Sequence, residues 1–261
     1  MTPASRTLPT RGAARALQAR TLQALGPGLS RNGRCISERP VLRKGPASPT
    51  LPCFATFARL VAMKTYRVRF SPSLDPGEGN LLDDFQFPWI DRPCPRTHFR
   101  AVADGTTFTF RFEVDDADLV LDPSEDPGEA VLGSDRVELF FATTPDLTTP
   151  YYGAEMDPRG GVYDYEAIYH RKFDPTWRFP GLQFTGSFFD GGYRVDGRIP
   201  LTVLRDLGCL QGSQMTAGVY RAEFSRGPEG TIQDWISWIH PGTEKPDFHV
   251  PGSFGTFVFE E

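Results

Sequence analysis

The run TTFTFRFEV at residues 106–114 constrains the fold of this chain more than any other feature. Apolar and polar residues alternate through it, and the apolar ones are Phe108, Phe110, Phe112 and Val114. A period of two is that of an extended strand, and the regular polar partners indicate that only one face is buried. The run therefore predicts a strand of an antiparallel sheet with those four side chains in the core.

The same alternation recurs along the chain. It is found in LQFTGSFF (182–189), GYRVDGRIPL (192–201), AGVYRAEFS (217–225) and GTFVFEE (255–261). The sequence DGG at 190–192 is typical of a hairpin turn between the first two of these runs.

Helix signals are few. The best is PLTVLRDLG (200–208), with proline near its start, leucines at helical spacing and glycine at its end. Many short strands separated by Gly, Pro and Asp predict an all-β fold. We predict an antiparallel β-sandwich, jelly-roll-like, with one short helix and no second domain.

The first 62 residues have a different composition from the rest. They contain ten Lys or Arg residues and one acid, Glu38, and they lack sustained apolar periodicity. We predict a disordered leader over 1–62 and a folded domain over 63–261. Two interpretations of the leader stay open: an Arg-rich targeting segment, or a misassigned start, since Met63 stands directly before the first strand-like run. We favour the second. Across the chain Arg far exceeds Lys, as in a GC-rich bacterial genome, and the non-coding DNA of such a genome would also translate as an Arg-rich segment.

The sequence also leaves the cellular compartment of the protein undecided. The apolar run LPCFATFARLVAM (51–63) is broken by Arg59 and is not a convincing signal peptide, although a secreted or periplasmic location is compatible with the rest. Residues 63–261 carry eighteen basic residues against thirty-two acids. This acidic balance argues against nucleic acid or an anionic membrane surface as a partner, because phosphate binding needs clustered Lys and Arg.

Motifs of several enzyme classes are missing. The sequence has no nucleophile elbow, phosphate-binding loop, zinc-protease helix or dinucleotide fingerprint. The histidines show no metal-ligand spacing. A disulfide between Cys94 and Cys209 is an alternative that the sequence leaves undecided. Strand-like runs contain four glutamates, namely Glu138, Glu155, Glu166 and Glu223. Two facing carboxylates suffice for a glycosidase, so a glycoside hydrolase stays an alternative, with no catalytic residue assigned.

Three segments together resemble a known family. They are GSDRVELFFATTPDLTTPYYGAEMDPRGGVYD (133–164), GYRVDGRIPLTVL (192–204) and WISWIHPGTEKPDFHVPGSFGTFVF (235–259). In this order they resemble the family 9 carbohydrate-binding modules, over about residues 66–261. The resemblance implies a β-sandwich that binds a mono- or oligosaccharide without cleaving it, in some members with structural calcium. We predict such a module, standing alone or docking to glycan-degrading enzymes.

The resemblance assigns roles to two residues. Glu138 stands at the glutamate of the D-x-V-E motif, which contacts sugar hydroxyls in binding members, and alternation places it on one face with Arg136 and Phe140. Arg159 matches a sugar-contacting arginine. In binding members a tryptophan precedes the glutamate by six residues, and here that position is Leu132. This departure keeps open a third hypothesis, a sandwich whose sugar site has decayed into a structural or partner-binding role.

Aromatic rings that could stack on a sugar complete the predicted site. We predict Trp177, Trp235 and Tyr163 as ligand contacts, whereas Trp89 in DFQFPWIDRPCP (84–95) is predicted to close one end of the core. Two oxygen-rich stretches could hold calcium: DPRGG (157–161) and VDDADLVLDPSEDPGE (114–129). A solvated acidic loop is the favoured interpretation of the second.

Overall fold

The computed structural model describes residues 64–146, 148–174 and 176–260. The predicted leader and the choice between Met1 and Met63 as the start lie outside these residues. The strands are β1 Thr65–Phe70, β2 Thr97–Ala103, β3 Thr107–Asp115, β4 Arg136–Ala142, β5 Tyr151–Met156, β6 Val162–Ile168, β7 Lys172–Asp174, β8 Gln183–Phe189, β9 Gly192–Pro200, β10 Leu210–Gln211, β11 Gln214–Gly227, β12 Gly230–Ser237 and β13 Gly255–Phe259. The helices are α1 Pro127–Leu132 and α2 Leu201–Asp206, and short 3₁₀ turns cover Pro76–Glu78 and Pro251–Ser253.

The strands form one continuous sheet that curls upon itself. Its order is β7-β6-β5-β4-β11-β13-β1-β2-β3-β9-β8, while β10 and β12 pair with β11 beside this path. The joint is β1, whose residues 65–68 pair with β13 and whose residues 69–70 pair with β2. The two halves of the sheet consequently share one strand, which passes from one half to the other.

The two halves face each other across the main core. Phe108 of β3 lies 6.5 Å from Phe141 of β4 and 6.3 Å from Phe257 of β13, measured between ring centroids. These rings come from both halves of the sheet and belong to one buried cluster. The predicted all-β sandwich is therefore confirmed, and the four side chains predicted to be buried in β3 are each 0% exposed.

A second hydrophobic cluster lies on the other face of β4, β5, β6 and β11. We call it the outer cluster; its buried members are Phe140, Ala142, Tyr151, Tyr165, Ala167, Tyr220, Phe248 and Phe254. The chain between β12 and β13 supplies Phe248 and Phe254 and so covers this face. Trp89 packs at the edge of the outer cluster, where its Nε1 donates to the carbonyl oxygen of Thr243 at 2.8 Å.

The local predictions of helix and turn are met. The predicted helix at 200–208 is α2, which is followed by Gly208 with a φ of 75°. The turn between β8 and β9 has Gly191 at a φ of 82°, a left-handed conformation that glycine adopts without strain.

The structure also departs from the predictions. The sequence predicted antiparallel pairing and one helix, but β1 pairs in parallel on both sides and α1 is a second helix. Helix α1 begins where the Asp126 carboxylate accepts hydrogen bonds from the amides of Gly128 and Glu129. Cys94 and Cys209 are both free thiols, so the disulfide that the sequence left undecided is not formed. None of the helices in the described residues has the length and apolar content needed to cross a bilayer.

Candidate functional site

The candidate site is built on the face of β4 that points away from the main core. Val137, Leu139 and Phe141 belong to the main core, so Arg136 and Glu138 project to the opposite face. The register of β4 with β5 sets Glu155 directly across from Glu138. Side chains that face each other across antiparallel strands are close enough to interact. Two glutamates and one arginine are thereby gathered by strand pairing alone.

Arg136 joins the two glutamates. Its Nη2 lies 3.0 Å from Glu138 Oε1, and its Nε donates to Glu155 Oε2 at 2.7 Å. Its Nη1 donates to the carbonyl oxygen of Leu132 at 3.1 Å. Arg136, Glu138 and Glu155 are 3%, 1% and 4% exposed. The guanidinium is therefore held rigidly by charged and backbone acceptors below the protein surface.

One guanidinium opposes two carboxylates here, and this imbalance shifts their proton affinity. Burial and then the neighbouring Glu155, opposed by Arg136, raise the pKa of Glu138 to about 8. For Arg136, burial alone would lower the pKa, but Glu155 and Glu138 outweigh it and the pKa is raised. The cluster therefore keeps its arginine charged and holds less than two full negative charges near neutral pH.

Aromatic rings surround this charged group. The guanidinium carbon of Arg136 lies 5.9 Å from the ring centroid of Trp235, at the outer limit of a cation–π contact. Tyr165 donates from its hydroxyl to Glu155 Oε1 at 3.1 Å, and the Tyr163 ring lies 5.5 Å from the Tyr165 ring. Trp235 and Tyr163 are only half-buried and pack against the outer cluster. Two half-buried rings thus lie beside a buried group of charged side chains.

The segment between β12 and β13 lies over this face. Phe248 stacks on Tyr220 with ring centroids 4.2 Å apart, and the His249 ring stacks on Phe140 at 5.2 Å. Tyr151 Oη lies 3.1 Å from His249 Nδ1. Burial, together with the charge of Arg171, lowers the pKa of His249 to about 3. A neutral imidazole is therefore packed into the outer cluster at neutral pH.

Comparison with known proteins gives this architecture a family. The model of the family described as carbohydrate family 9 binding domain-like matches residues 86–261. The chain belongs to this family. No curated protein matches the sequence.

Two solved structures share the fold of this chain. One is a candidate carbohydrate-binding protein from Bacteroides uniformis ATCC 8492, with 20% identity, 76% of this chain and 100% of that chain covered, and a TM-score of 0.60. The other is a family 9 carbohydrate-binding module from Caldicellulosiruptor kristjanssonii in complex with cellotriose, with 14% identity, 76% and 94% covered, and a TM-score of 0.50. At these identities the likeness concerns the fold.

Three of the five predicted contact residues of this family 9 domain lie together. Glu138, Trp235 and Tyr163 are on the outer-cluster side of the sheet. The other two lie elsewhere. Trp177 packs on Tyr152, with ring centroids 5.1 Å apart, against the main core. Tyr152 belongs to the main core, and the side chains of a strand alternate between the two faces of its sheet. Trp177 is therefore on the other side of the sheet from Glu138.

Arg159 holds a loop in place. Its Nη1 donates to the carbonyl oxygen of Asp122 at 2.6 Å, its Nη2 donates to Ser134 Oγ at 2.9 Å, and it pairs with Asp157 at 2.8 Å. These contacts tie the turn after β5 to both ends of the segment 122–134, which contains α1. Arg159 therefore orients the chain that carries Leu132, whose carbonyl oxygen accepts from Arg136.

Sequence reasoning left out three residues that the structure adds to the site. Arg136 was placed on the correct face but given no role, while Glu155 appeared only among the possible catalytic acids. Tyr165 is one of several tyrosines in strand-like runs, and nothing in the sequence separates it from the others. Their shared location depends on which strands pair and in which register, so composition and periodicity carried no signal for it.

Proposed function

We propose that this chain is a non-catalytic carbohydrate-binding module that recognises a mono- or oligosaccharide on the face formed by Arg136, Glu138 and Trp235. The observation that carries the proposal is the fixed Arg136 guanidinium, held between Glu138 and Glu155 and beside the half-buried Trp235 ring. Sugars present apolar C–H faces that stack on rings, and hydroxyls that bond to carboxylate and guanidinium groups. Groups of both kinds lie next to each other on one side of the sheet, Arg136 and Glu138 on β4 and Trp235 on β12.

The family supports the same class of ligand. Its description names carbohydrate binding, and the Caldicellulosiruptor kristjanssonii module was solved with cellotriose. Tyr163 borders the site, and Arg159 supports it from behind through the segment 122–134. Leu132 offers no ring at the position where other members have a tryptophan. We therefore propose stacking on one principal ring, Trp235, and consequently modest affinity.

Calorimetric titration of the full chain tests the proposal. Glucose, cellobiose and cellotriose are titrated into the wild type and into the Glu138→Gln, Trp235→Ala and Trp177→Ala variants. Because Trp177 packs against the main core, its loss is expected to leave sugar affinity unchanged. Loss of the Trp235 ring, or replacement of one Glu138 carboxyl oxygen by an amide nitrogen, is expected to weaken binding at least about tenfold, the equivalent of about 1.4 kcal/mol.

Other outcomes identify the alternatives. A folded wild type with no heat and no thermal stabilisation for any sugar would reject the proposal and favour the decayed-site hypothesis, in which Glu138 serves only its ion pair with Arg136. Release of product from an aryl glycoside would favour a glycoside hydrolase instead. Circular dichroism of each variant separates loss of ligand contacts from loss of fold.

A further inference from the structure

Strand β8 is the last strand of its half of the sheet, and one of its edges is unpaired. It pairs with β9 along its whole length, from residue 183 to residue 189. Among the described residues, no strand or loop forms backbone hydrogen bonds with its other edge. Its seven residues, at about 3.4 Å each, present a row of amide and carbonyl groups about 24 Å long. Such a row is a template for a further strand.

The sequence of β8 lacks the features that usually block strand addition. It reads QFTGSFF and contains no charged residue and no proline. Its register with β9 is continuous, without a bulge that would turn the edge away. The opposite end of the sheet is different, because β7 is only three residues long and carries Lys172 and Asp174. Of these two end strands, β8 is therefore the one suited to pair with another strand.

Two phenylalanine rings at the end of β8 are exposed. Phe188 pairs with the core residue Tyr193 and so lies on the face of β8 that points toward the main core, as Phe184 does. Phe184 packs against that core, whereas Phe188 is 53% exposed, since no strand of the described residues continues the sheet past β8. Phe189, on the opposite face, is 40% exposed. One additional strand beside β8 would cover the core-facing ring that the chain itself leaves bare.

The sequence of β8 is complementary to itself when two copies run antiparallel. If Gly186 faces Gly186 of a second copy, all seven residues pair, and the two members of each pair lie on the same face of the joined sheet. Phe184 then faces Phe188 of the second copy on the core side. Thr185 faces Ser187 of the second copy on the outer side, where the two hydroxyls can bond to each other. No charged side chains meet along the strand, so a second copy of this chain suits the edge.

Other registers of the same strand pair are less favourable. A register shifted by one residue would set the core-facing rings of one copy beside the outward side chains of the other. A register shifted by two residues would keep the faces but leave residues at both ends of β8 unpaired. The pairing centred on Gly186 is therefore the one that uses the whole strand and covers Phe188 with a ring.

We propose that this chain forms a two-fold symmetric dimer by antiparallel pairing of β8 with β8 of a second copy, centred on Gly186. The same surface is used by both copies, as in most symmetric dimers. Pairing joins two sheets into one, and the Phe184 and Phe188 rings of the two copies extend the main core across the joint. One strand pair is a small interface, since stable complexes bury at least about 1,200 Å² in total. The dimer is therefore expected to be weak, with a Kd on the order of 10 µM.

Sedimentation velocity of the full chain tests this proposal. The wild type is expected to pass from monomer to dimer between about 1 and 200 µM. The variant Thr185→Lys/Ser187→Lys sets lysines opposite lysines in the proposed pairing, so its Kd should rise at least about tenfold. Both positions are exposed, and circular dichroism checks that the fold is kept. Thr231→Lys is the matched control, because it adds a charge at an exposed threonine of β12, and it is expected to dimerise like the wild type.

Exchange of charges tests the register. The variant Thr185→Glu/Ser187→Glu is expected to dimerise as weakly as the lysine variant, for the same reason. Mixed in equal amounts, the two variants set glutamates opposite lysines. The mixture is therefore expected to associate at least about tenfold more tightly than either variant by itself.

Three results would overturn the proposal. A wild type that stays a monomer at about 200 µM would do so, and it would favour a strand of another protein as the occupant of this edge. A lysine variant that dimerises as tightly as the wild type would place the contact elsewhere. A mixture that associates no more tightly than its components would exclude the pairing centred on Gly186. None of these results depends on sugar binding.

Discussion

Burial of His249 in the outer cluster is expected to make the stability of the folded protein sensitive to acid. The pKa of this imidazole is lowered to about 3 from an ordinary 6.5, first by burial and then by the charge of Arg171. Its folded-state pKa is thus depressed, and the unfolded chain binds the proton first as the pH falls. The stability that the neutral imidazole contributes is present above pH 6.5 and is lost progressively toward pH 3.

The size of the effect can be worked out at pH 5. There the unfolded histidine is 1.5 pH units below its pKa, while the folded one stays neutral. At 1.36 kcal/mol per unit, this lowers the free energy of unfolding by about 2 kcal/mol relative to neutral pH. Carboxyl groups titrate in the same range, so the contribution of His249 is isolated by comparing variants.

Urea unfolding followed by tryptophan fluorescence at pH 7 and pH 5 makes the comparison. His249→Phe keeps a ring on Phe140 but cannot titrate. Its free energy of unfolding should therefore fall by about 2 kcal/mol less than that of the wild type between these pH values. Tyr151→Phe removes the hydroxyl 3.1 Å from His249 Nδ1 yet keeps the imidazole, and it should lose as much as the wild type. Equal losses in wild type and His249→Phe would refute the reasoning.

Two further predictions concern the site itself. Arg136→Met leaves Glu138 and Glu155 buried without their cation and should lower the free energy of unfolding by about 3–5 kcal/mol, measured by urea unfolding. A decrease of less than about 1 kcal/mol in the free energy of unfolding would show that the two carboxylates are solvated. Gly153→Ala would place a methyl group 2.3 Å from Tyr165 Cζ. It should cost about 1–3 kcal/mol and change the near-ultraviolet circular dichroism, whereas an unchanged spectrum would contradict the packing.

Local patterns in the sequence were sufficient for much of the fold. The alternation in β3 and β9, the helix α2 and the turn at Gly191 each depend on a few consecutive residues, whose periodicity and backbone preferences act at short range. For the same reason, alternation alone placed Arg136 and Glu138 on one face. Helix α1 was also locally encoded, by Asp126 and Pro127, but its acidic sequence was interpreted as a loop.

Tertiary structure decided which of these residues meet. Glu155 reaches Arg136 only because β5 pairs with β4 in one register, and Trp177 lies against the main core because of the path of its loop. Asp116 and Glu223 are far apart in sequence and become neighbours only when the sheet curls. Periodicity tells which face a side chain takes, whereas strand order and register depend on the sum of many weak, distant contacts. The sequence by itself therefore determined the strands and their faces, and only the assembled sheet determined which of their side chains meet.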